Sequence, residues 1–328
     1  MAEAADPAVR RVLFITNTRI GDAILTSGVM EALHGRWPKA RFTVAAGPAS
    51  APLFAETPFV ERVIVMKKAK MAGHWFRLWR ETVGVRWDAV VDLRGSGVSA
   101  FLRARRRLIR RGEKGGEPRH KVIEAAGLLG LESDPPSPRI HVSEATRAKA
   151  LSVIPRDRPL LALSPSANRV GKTWPIARFE AWLRAARASG GPLEGWTVAV
   201  LGGPGEGAAY QRLSQAIEAG RAVDLTGWPL LDTVAVLEAC DLFVGNDSGL
   251  MHLAAASGAP VLALFGPTDE RLYGPWSDRA RVVRAEGQVY TFGRTSQTVS
   301  ETECQMDALS VEQVLRATRE AVAAFPPG

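Results

Sequence analysis

"FVGNDSGLMHLAAASGAPVLALFG", residues 243–266, reads as an apolar run, a polar break, a second apolar run and a closing glycine. The break, Gly245-Asn246-Asp247-Ser248-Gly249, falls where a strand over 240–247 hands over to a helix over 248–257, and another strand over 259–266 follows. Strand, helix, strand in this rhythm is the unit from which parallel sheets are wound. The rhythm continues outward. "PLLALSP" (159–165), "WTVAVLGG" (196–203) and "AVDLTG" (222–227) precede the break as strands, with helices expected at about 176–189, 206–219 and 230–239. Near the start, "RVLFIT" (11–16), "RFTVAAG" (41–47), "RVIVMK" (62–67) and "WDAVVDLRG" (87–95) form a first set. A helix over 22–38 there carries Ile24, Leu25, Val29 and Leu33 as its apolar stripe.

The Pro-rich "ESDPPSPRIHVSE" (132–144) interrupts the rhythm and marks the approach to a domain boundary. At 328 residues, two domains is the expectation. The fold expected is α/β: two Rossmann-like, doubly wound parallel-sheet domains facing each other across a cleft. Their spans are 1–150 and 151–310, with a closing helix in 311–328 that packs back on the first domain.

Hydrophobic content of 46% with 23% charged residues describes a soluble globular chain. No apolar stretch reaches the roughly 20 residues that cross a bilayer, and "MAEAADPAVRR" has no apolar core of a secretory signal. Cys240 and Cys304 are the two cysteines, too few for a disulfide framework or a zinc cluster, and a cytoplasmic setting is expected. The net charge is +8 and uneven, with Arg103, Arg105, Arg106, Arg107, Arg110, Arg111, Lys114, Arg119 and Lys121 crowding one stretch. Nucleic acid, an anionic membrane surface or a phosphorylated acceptor each fits such a run. So does a solvated basic helix followed by a loop.

Ligands of open parallel sheets gather beyond the carboxyl ends of the strands, so the polar residues just after each strand are the candidates. "TNTRIGDAILTSG" (16–28) places Asp22 at the start of a helix, where it can cap the helix or act as a general base toward a hydroxyl. "SPSANRVGKTWP" (164–175) supplies Ser166, Asn168 and Lys172, a lysine suited to a phosphate although no Walker A spacing is present. "LGGPGEGAAY" (201–210) places Glu206 where it can accept from ribose hydroxyls or simply favour the helix dipole. In the opening stretch, Ser248 and Gly249 sit at a helix N-terminus that can bind phosphate. Asp247 can cap, orient a neighbouring donor or accept from a sugar hydroxyl, and His252 lies one turn on. "FGPTDERLYGPW" (265–276) is a fifth polar junction. The five histidines are scattered and no metal-ligand spacing emerges.

Taken together, "RVLFITNTRIGDAILTSGVMEAL", "SPSANRVGKTWPIARFEAWL", "VAVLGGPGE" and "DLFVGNDSGLMHLAAASGAPVLALFGPTD" resemble glycosyltransferase family 9, the ADP-heptose:lipopolysaccharide heptosyltransferases. The closing "ECQMDALSVEQVLRAT", with Cys304 and Met306, is similar to the family's last segment. The resemblance implies a GT-B fold and an inverting transfer of a sugar from an ADP-activated donor to a lipopolysaccharide-core or related acceptor, without a metal or other cofactor. It implies Asp22 as the catalytic base. Ser166, Asn168, Lys172, Glu206, Asp247, Ser248, Gly249 and His252 would face the donor, and Arg19, Arg94 and Arg119 the acceptor. The partners implied are a nucleotide sugar and an anionic glycolipid or phosphorylated glycan, with peripheral association at the inner membrane surface and no nucleic acid. Ala167-Asn168 stands where heptose-transferring members often carry paired hydroxyls before the lysine. A transferase or epimerase using another nucleotide sugar, and a non-catalytic nucleotide-sugar or nucleic-acid-binding protein, are the competing readings.

Overall fold

A computed structural model describes residues 6, 8–110, 119–285 and 299–328. The chain divides into two compact units, residues 1–141 and 142–328. In the first, strands β1 (Arg11–Ile15), β2 (Arg41–Ala46), β3 (Val60–Val65), β4 (Trp87–Asp92) and β5 (Ala104–Ile109) form one sheet in the order β3-β2-β1-β4-β5. Every pairing in it is parallel. Helices α1 (Ile20–Leu25), α2 (Ser27–Arg36), α3 (Gly73–Thr82) and α4 (Lys121–Ala126) connect and cover it.

The second unit opens with α5 (Glu144–Leu151). It continues as β6 (Leu160–Ser164), α6 (Ile176–Arg187), β7 (Thr197–Gly202), α7 (Gly207–Ser214), β8 (Ala222–Thr226), α8 (Leu230–Glu238) and β9 (Leu242–Asn246). It closes with α9 (Gly249–Ala256), β10 (Val261–Phe265), α10 (Glu270–Tyr273), β11 (Ala280–Arg284) and α11 (Val311–Ala324). The sheet order is β11-β10-β9-β6-β7-β8, again all parallel. Counted from its own first strand, that is the doubly wound Rossmann order.

Burial follows from this layering. Central strands β6, β9 and β10 are buried at every position, which is why they read as continuous apolar runs rather than alternating ones. The outermost strands β3 and β8 are more exposed, with few fully buried positions. Part of the basic stretch, for which a solvated helix is one reading, is instead β5, an edge strand whose exposure alternates along 104–108. Its arginines do defined work. Arg106 pairs with Asp6 at 2.8 Å, and Arg107 donates to the carbonyls of Ser99 (3.1 Å) and Leu102 (2.5 Å). Charged side chains on an edge strand also oppose pairing with another chain. Arg111 and Lys114 of the same run lie outside the described residues. β11 was not among the strands expected from the sequence.

The expected helix over 22–38 is divided at Thr26, whose hydroxyl donates to the carbonyls of Asp22 (2.9 Å) and Ala23 (3.2 Å) rather than leaving α1 undisturbed. The Pro-rich segment belongs to the first unit. Arg139 N–H donates to Ser27 Oγ at 2.9 Å, and His141 Nε2 meets Glu31 Oε1 at 2.8 Å. Division therefore comes after His141, earlier than the expected 150. α5 packs on α8 instead, where Lys149 meets Asp232 at 3.0 Å and Arg147 meets Glu238 at 2.9 Å. The closing helix, expected on the first domain, packs against α6. Trp182 of α6 donates its indole N–H to Thr318 at 3.0 Å, and a Ser310–Gln313 capping box starts the helix.

Gly28 marks where the Pro-rich segment and α2 touch. A Cβ there would fall on the backbone carbonyl oxygens of Pro136 and Ser137. Because the obstruction is backbone, Gly28→Ala should destabilise the first unit by about 1–3 kcal/mol. Gly35→Ala, which meets nothing within 4 Å, should leave thermal unfolding unchanged or slightly improved.

Candidate active site

In an open parallel sheet the crevice lies where neighbouring strands send their connections in opposite directions. In the second unit that point is between β6 and β9, paired in parallel with Leu163 opposite Val244 and Ser164 opposite Gly245. The segments leaving the two strands, 165–174 and 247–249, are therefore adjacent by topology. Asn246, the last residue of β9 and fully buried, fixes them to each other. Its Oδ1 accepts the Trp174 N–H at 3.0 Å, and its Nδ2 donates to the Pro165 carbonyl at 2.8 Å. Trp174 is itself buried, its indole N–H donating to the Leu309 carbonyl at 2.9 Å.

Across this junction Lys172 Nζ and Asp247 Oδ2 form an ion pair at 2.5 Å, with side chains only 14% and 5% exposed. Asp247 is thus occupied with the lysine. The helix cap of α9 is Ser248, in extended backbone and without a side-chain capping bond. Ser248 Oγ is buried and has no hydrogen-bond partner among the described residues. An orphaned hydroxyl at a helix N-terminus, beside the unpaired N–H groups of the first turn, is a place where an anion's oxygens can be satisfied. Gly249 begins α9 and His252 is buried in its first turns.

Glu206 and Ser166 form a second cluster. Ser166 Oγ donates to Glu206 Oε2 at 2.6 Å, and Gly203 N–H donates to the same oxygen at 2.6 Å. This orients the carboxylate just beyond β7. Asn168 is exposed in the loop ahead of Lys172. That loop is held by the chain after 298: Gly171 N–H donates to the Ser300 carbonyl at 3.0 Å, and a Cβ at Gly171 would fall on Gln305. The Gly-Pro-Thr-Asp junction is structural at its last member, since buried Asp269 caps α10 by accepting from Arg271 N–H at 3.0 Å. Burial pushes the Cys240 thiol up to about 12 and also raises Cys304, so neither is a ready nucleophile at neutral pH.

The first unit has its own switch point, between β1 and β4. Arg19 caps α1 in extended backbone and is exposed, and Asp22 is half-buried in the first helical turn rather than at the cap. From β4, fully buried Asp92 accepts from Arg94 N–H (3.0 Å), Ser96 N–H (2.8 Å) and Ser96 Oγ (2.6 Å). That turn sends the Arg94 guanidinium over the Trp75 ring, 4.6 Å from its centre. Burial lowers the Arg94 pKa while Asp92 opposes the shift, and a guanidinium remains cationic. Arg119 is exposed just ahead of His120, the cap of α4, and not on either of these two strand ends. The topology thus brings Arg19, Asp22 and Arg94 to one sheet edge. Asn246 and Asp92 were missed as organisers, though a polar residue closing a buried apolar strand was visible in both cases.

The family model described as "Glycosyltransferase family 9 (heptosyltransferase)" matches residues 117–300. This chain belongs to glycosyltransferase family 9. It is a glycosyltransferase. Lipooligosaccharide heptosyltransferase 2 of Haemophilus influenzae is 27% identical over 316 residues, covering 85% of this chain and 90% of that one. The E. coli ADP-heptose lps heptosyltransferase II structure superposes with a TM-score of 0.74 at 22% identity, covering 96% of this chain and 99% of that one. An E. coli heptosyltransferase solved with ADP gives a TM-score of 0.70 at 19% identity, covering 95% and 99%. The two parallel-sheet α/β domains are those of the family 9 GT-B structures.

In this family 9 member the Lys172–Asp247 pair is nearly dry, so removing one partner leaves a buried charge. Lys172→Met should lower unfolding stability by about 3 kcal/mol. The double variant Lys172→Met/Asp247→Asn should recover part of it, and a denaturant-unfolding double-mutant cycle measures the coupling. Asn246→Ala, which orphans the Trp174 N–H and the Pro165 carbonyl, should cost about 2 kcal/mol or more in the same assay.

Proposed function

We propose that this chain transfers a heptosyl group from an ADP-activated donor to a lipopolysaccharide-core or related glycan acceptor, with inversion at the anomeric carbon. The observation that carries the reading is the anion-ready junction at the β6/β9 switch point. It consists of a lysine held by Asp247, an orphaned Ser248 hydroxyl and the start of α9. Curated relatives named as heptosyltransferases and a family structure solved with ADP support the choice of donor.

In this mechanism the acceptor hydroxyl gives its proton to Asp22 as its oxygen attacks the anomeric carbon. The bond from that carbon to the diphosphate oxygen breaks, and its electron pair leaves with ADP. Negative charge grows on the diphosphate. Lys172, the N–H groups of Ser248 and Gly249, and the Ser248 hydroxyl stabilise it, so the reading assigns no metal a part. Glu206, held by Ser166 and Gly203 N–H, accepts from the donor's ribose hydroxyls. Asn168 and His252 complete the donor surroundings. Arg19, Arg94 and Arg119 meet the anionic groups of the acceptor, a phosphorylated glycan or glycolipid, with the protein working on the cytoplasmic side of the membrane.

The test is ADP release from ADP-heptose in the presence and absence of a heptose-accepting core glycolipid. Acceptor-dependent release is expected, and none with ADP-heptose but release with another nucleotide sugar contradicts the donor assignment. Asp22→Asn should lower kcat by about 10²–10⁴-fold while changing ADP affinity little. Wild-type turnover by that variant would remove Asp22 from the role of base. Lys172→Ala should weaken ADP binding and lower kcat by about 10²-fold or more.

A further inference from the structure

The first unit exposes an apolar surface that the transfer chemistry does not use. Trp75, Phe76 and Trp79 of α3, with Gly97, Val98 and Phe101 of the turn after β4, line an open groove of about 450 Å³. Phe76 is 64% exposed, Phe101 74% and Met71 fully exposed, placing three large apolar side chains in solvent. The rings are ordered against one another: Phe76 and Trp79 stack with centroids 5.6 Å apart, and α3 packs on the Gly97–Phe101 turn. Met71 and Ala72 both have left-handed backbone (φ 50° and 58°), which breaks the chain just before α3 and turns Met71 outward. A rigid aromatic cluster of this kind is not a normal monomer surface.

Its surroundings are mainly basic, although α3 also carries Glu81, which pairs with Arg62 at 2.5 Å. Residues 66–80 contain five Lys or Arg and no acid, and residues 93–110 contain six and no acid. Lys67, Lys68, Arg77, Arg80, Arg103 and Arg105 are exposed. Trp and Phe with a basic rim is the composition that settles at the boundary between anionic headgroups and acyl chains. A soluble protein partner would need the flanking arginines matched by carboxylates in register. A bilayer needs only negative surface potential, which attracts each nearby Lys or Arg.

We propose that the α3 face, centred on Phe76 and Phe101 and rimmed by Arg77, Arg80 and Arg103, docks on an anionic bilayer. The face inserts Phe76, Phe101 and Met71 below the headgroups while the basic side chains engage lipid phosphates. It is distinct from the edge formed by Arg19, Asp22 and Arg94, although Arg94 stacks on Trp75 from the side of that edge. Docking would therefore hold the acceptor half at the surface where an anionic glycolipid is presented. The binding itself needs no donor and stands whether or not the donor assignment holds.

The experiment is flotation of the full chain with vesicles of phosphatidylglycerol and phosphatidylcholine, and with phosphatidylcholine alone, at 0.1 M salt. The full chain should float with the anionic vesicles and far less with the neutral ones. Phe76→Ser/Phe101→Ser should lower partitioning by about tenfold or more at unchanged melting temperature, and Arg77→Glu/Arg80→Glu should do so by a similar factor. Absence of binding to anionic vesicles overturns the proposal, as does binding unchanged in the Phe double variant. A wild-type dimer in light scattering that the Phe variant converts to monomer, without vesicle binding by either, would instead make the face a self-association surface.

Discussion

The parallel pairing of β6 with β9 is the constraint from which the rest of the second unit's site follows. Because the connections leave these two strands in opposite directions, no helix covers their carboxyl ends. Two segments far apart in sequence meet there, and Asn246 ties them with one donated and one accepted hydrogen bond. Lys172 then stands beside Asp247 and the start of α9, held by its ion pair. The core under the junction is correspondingly stiff. Trp174, Phe179 and Trp182 are fully buried, with edge-on ring contacts at 4.9 and 6.4 Å, and the closing helix α11 packs on α6.

The electrostatics of this junction differ from a simple basic pocket. Lysine and aspartate offset each other's charge, and the start of α9 adds the partial positive charge of a helix N-terminus. On the proposed function, a diphosphate arriving there would compete with Asp247 for the lysine. The ion pair holds the Lys172 side chain in place, so on the proposed function little side-chain ordering would remain to oppose association. The Ser248 hydroxyl is consistent with the same economy, being a buried group with no partner among the described residues.

Much of this could be read in the sequence, for identifiable reasons. Buried parallel strands leave continuous apolar runs, so "APVLALFG" and "CDLFVGND" announced β10 and β9, and the polar residues after them fell at the strand ends. Edge strands leave no such run. β5 is half arginine, a composition that suits a solvated basic helix as well, and β11, Ala-Arg-Val-Val-Arg, has only two consecutive valines between its arginines. The partners of polar side chains were also out of reach, since they depend on long-range register. Asp247 had three possible roles from its position alone, and its contact with Lys172 spans 75 residues. The boundary moved for a related reason: Pro136 to His141 look like a linker in composition, yet they bond to Ser27 and Glu31 of α2.

The central claim is that the β6/β9 junction holds the donor's diphosphate. A crystal structure of the protein soaked or co-crystallised with ADP tests it most directly. The account predicts the diphosphate at the start of α9, with its oxygens within about 3 Å of Lys172 Nζ, Ser248 Oγ and the Gly249 N–H. A diphosphate bound elsewhere, with the Lys172–Asp247 pair untouched, would contradict it.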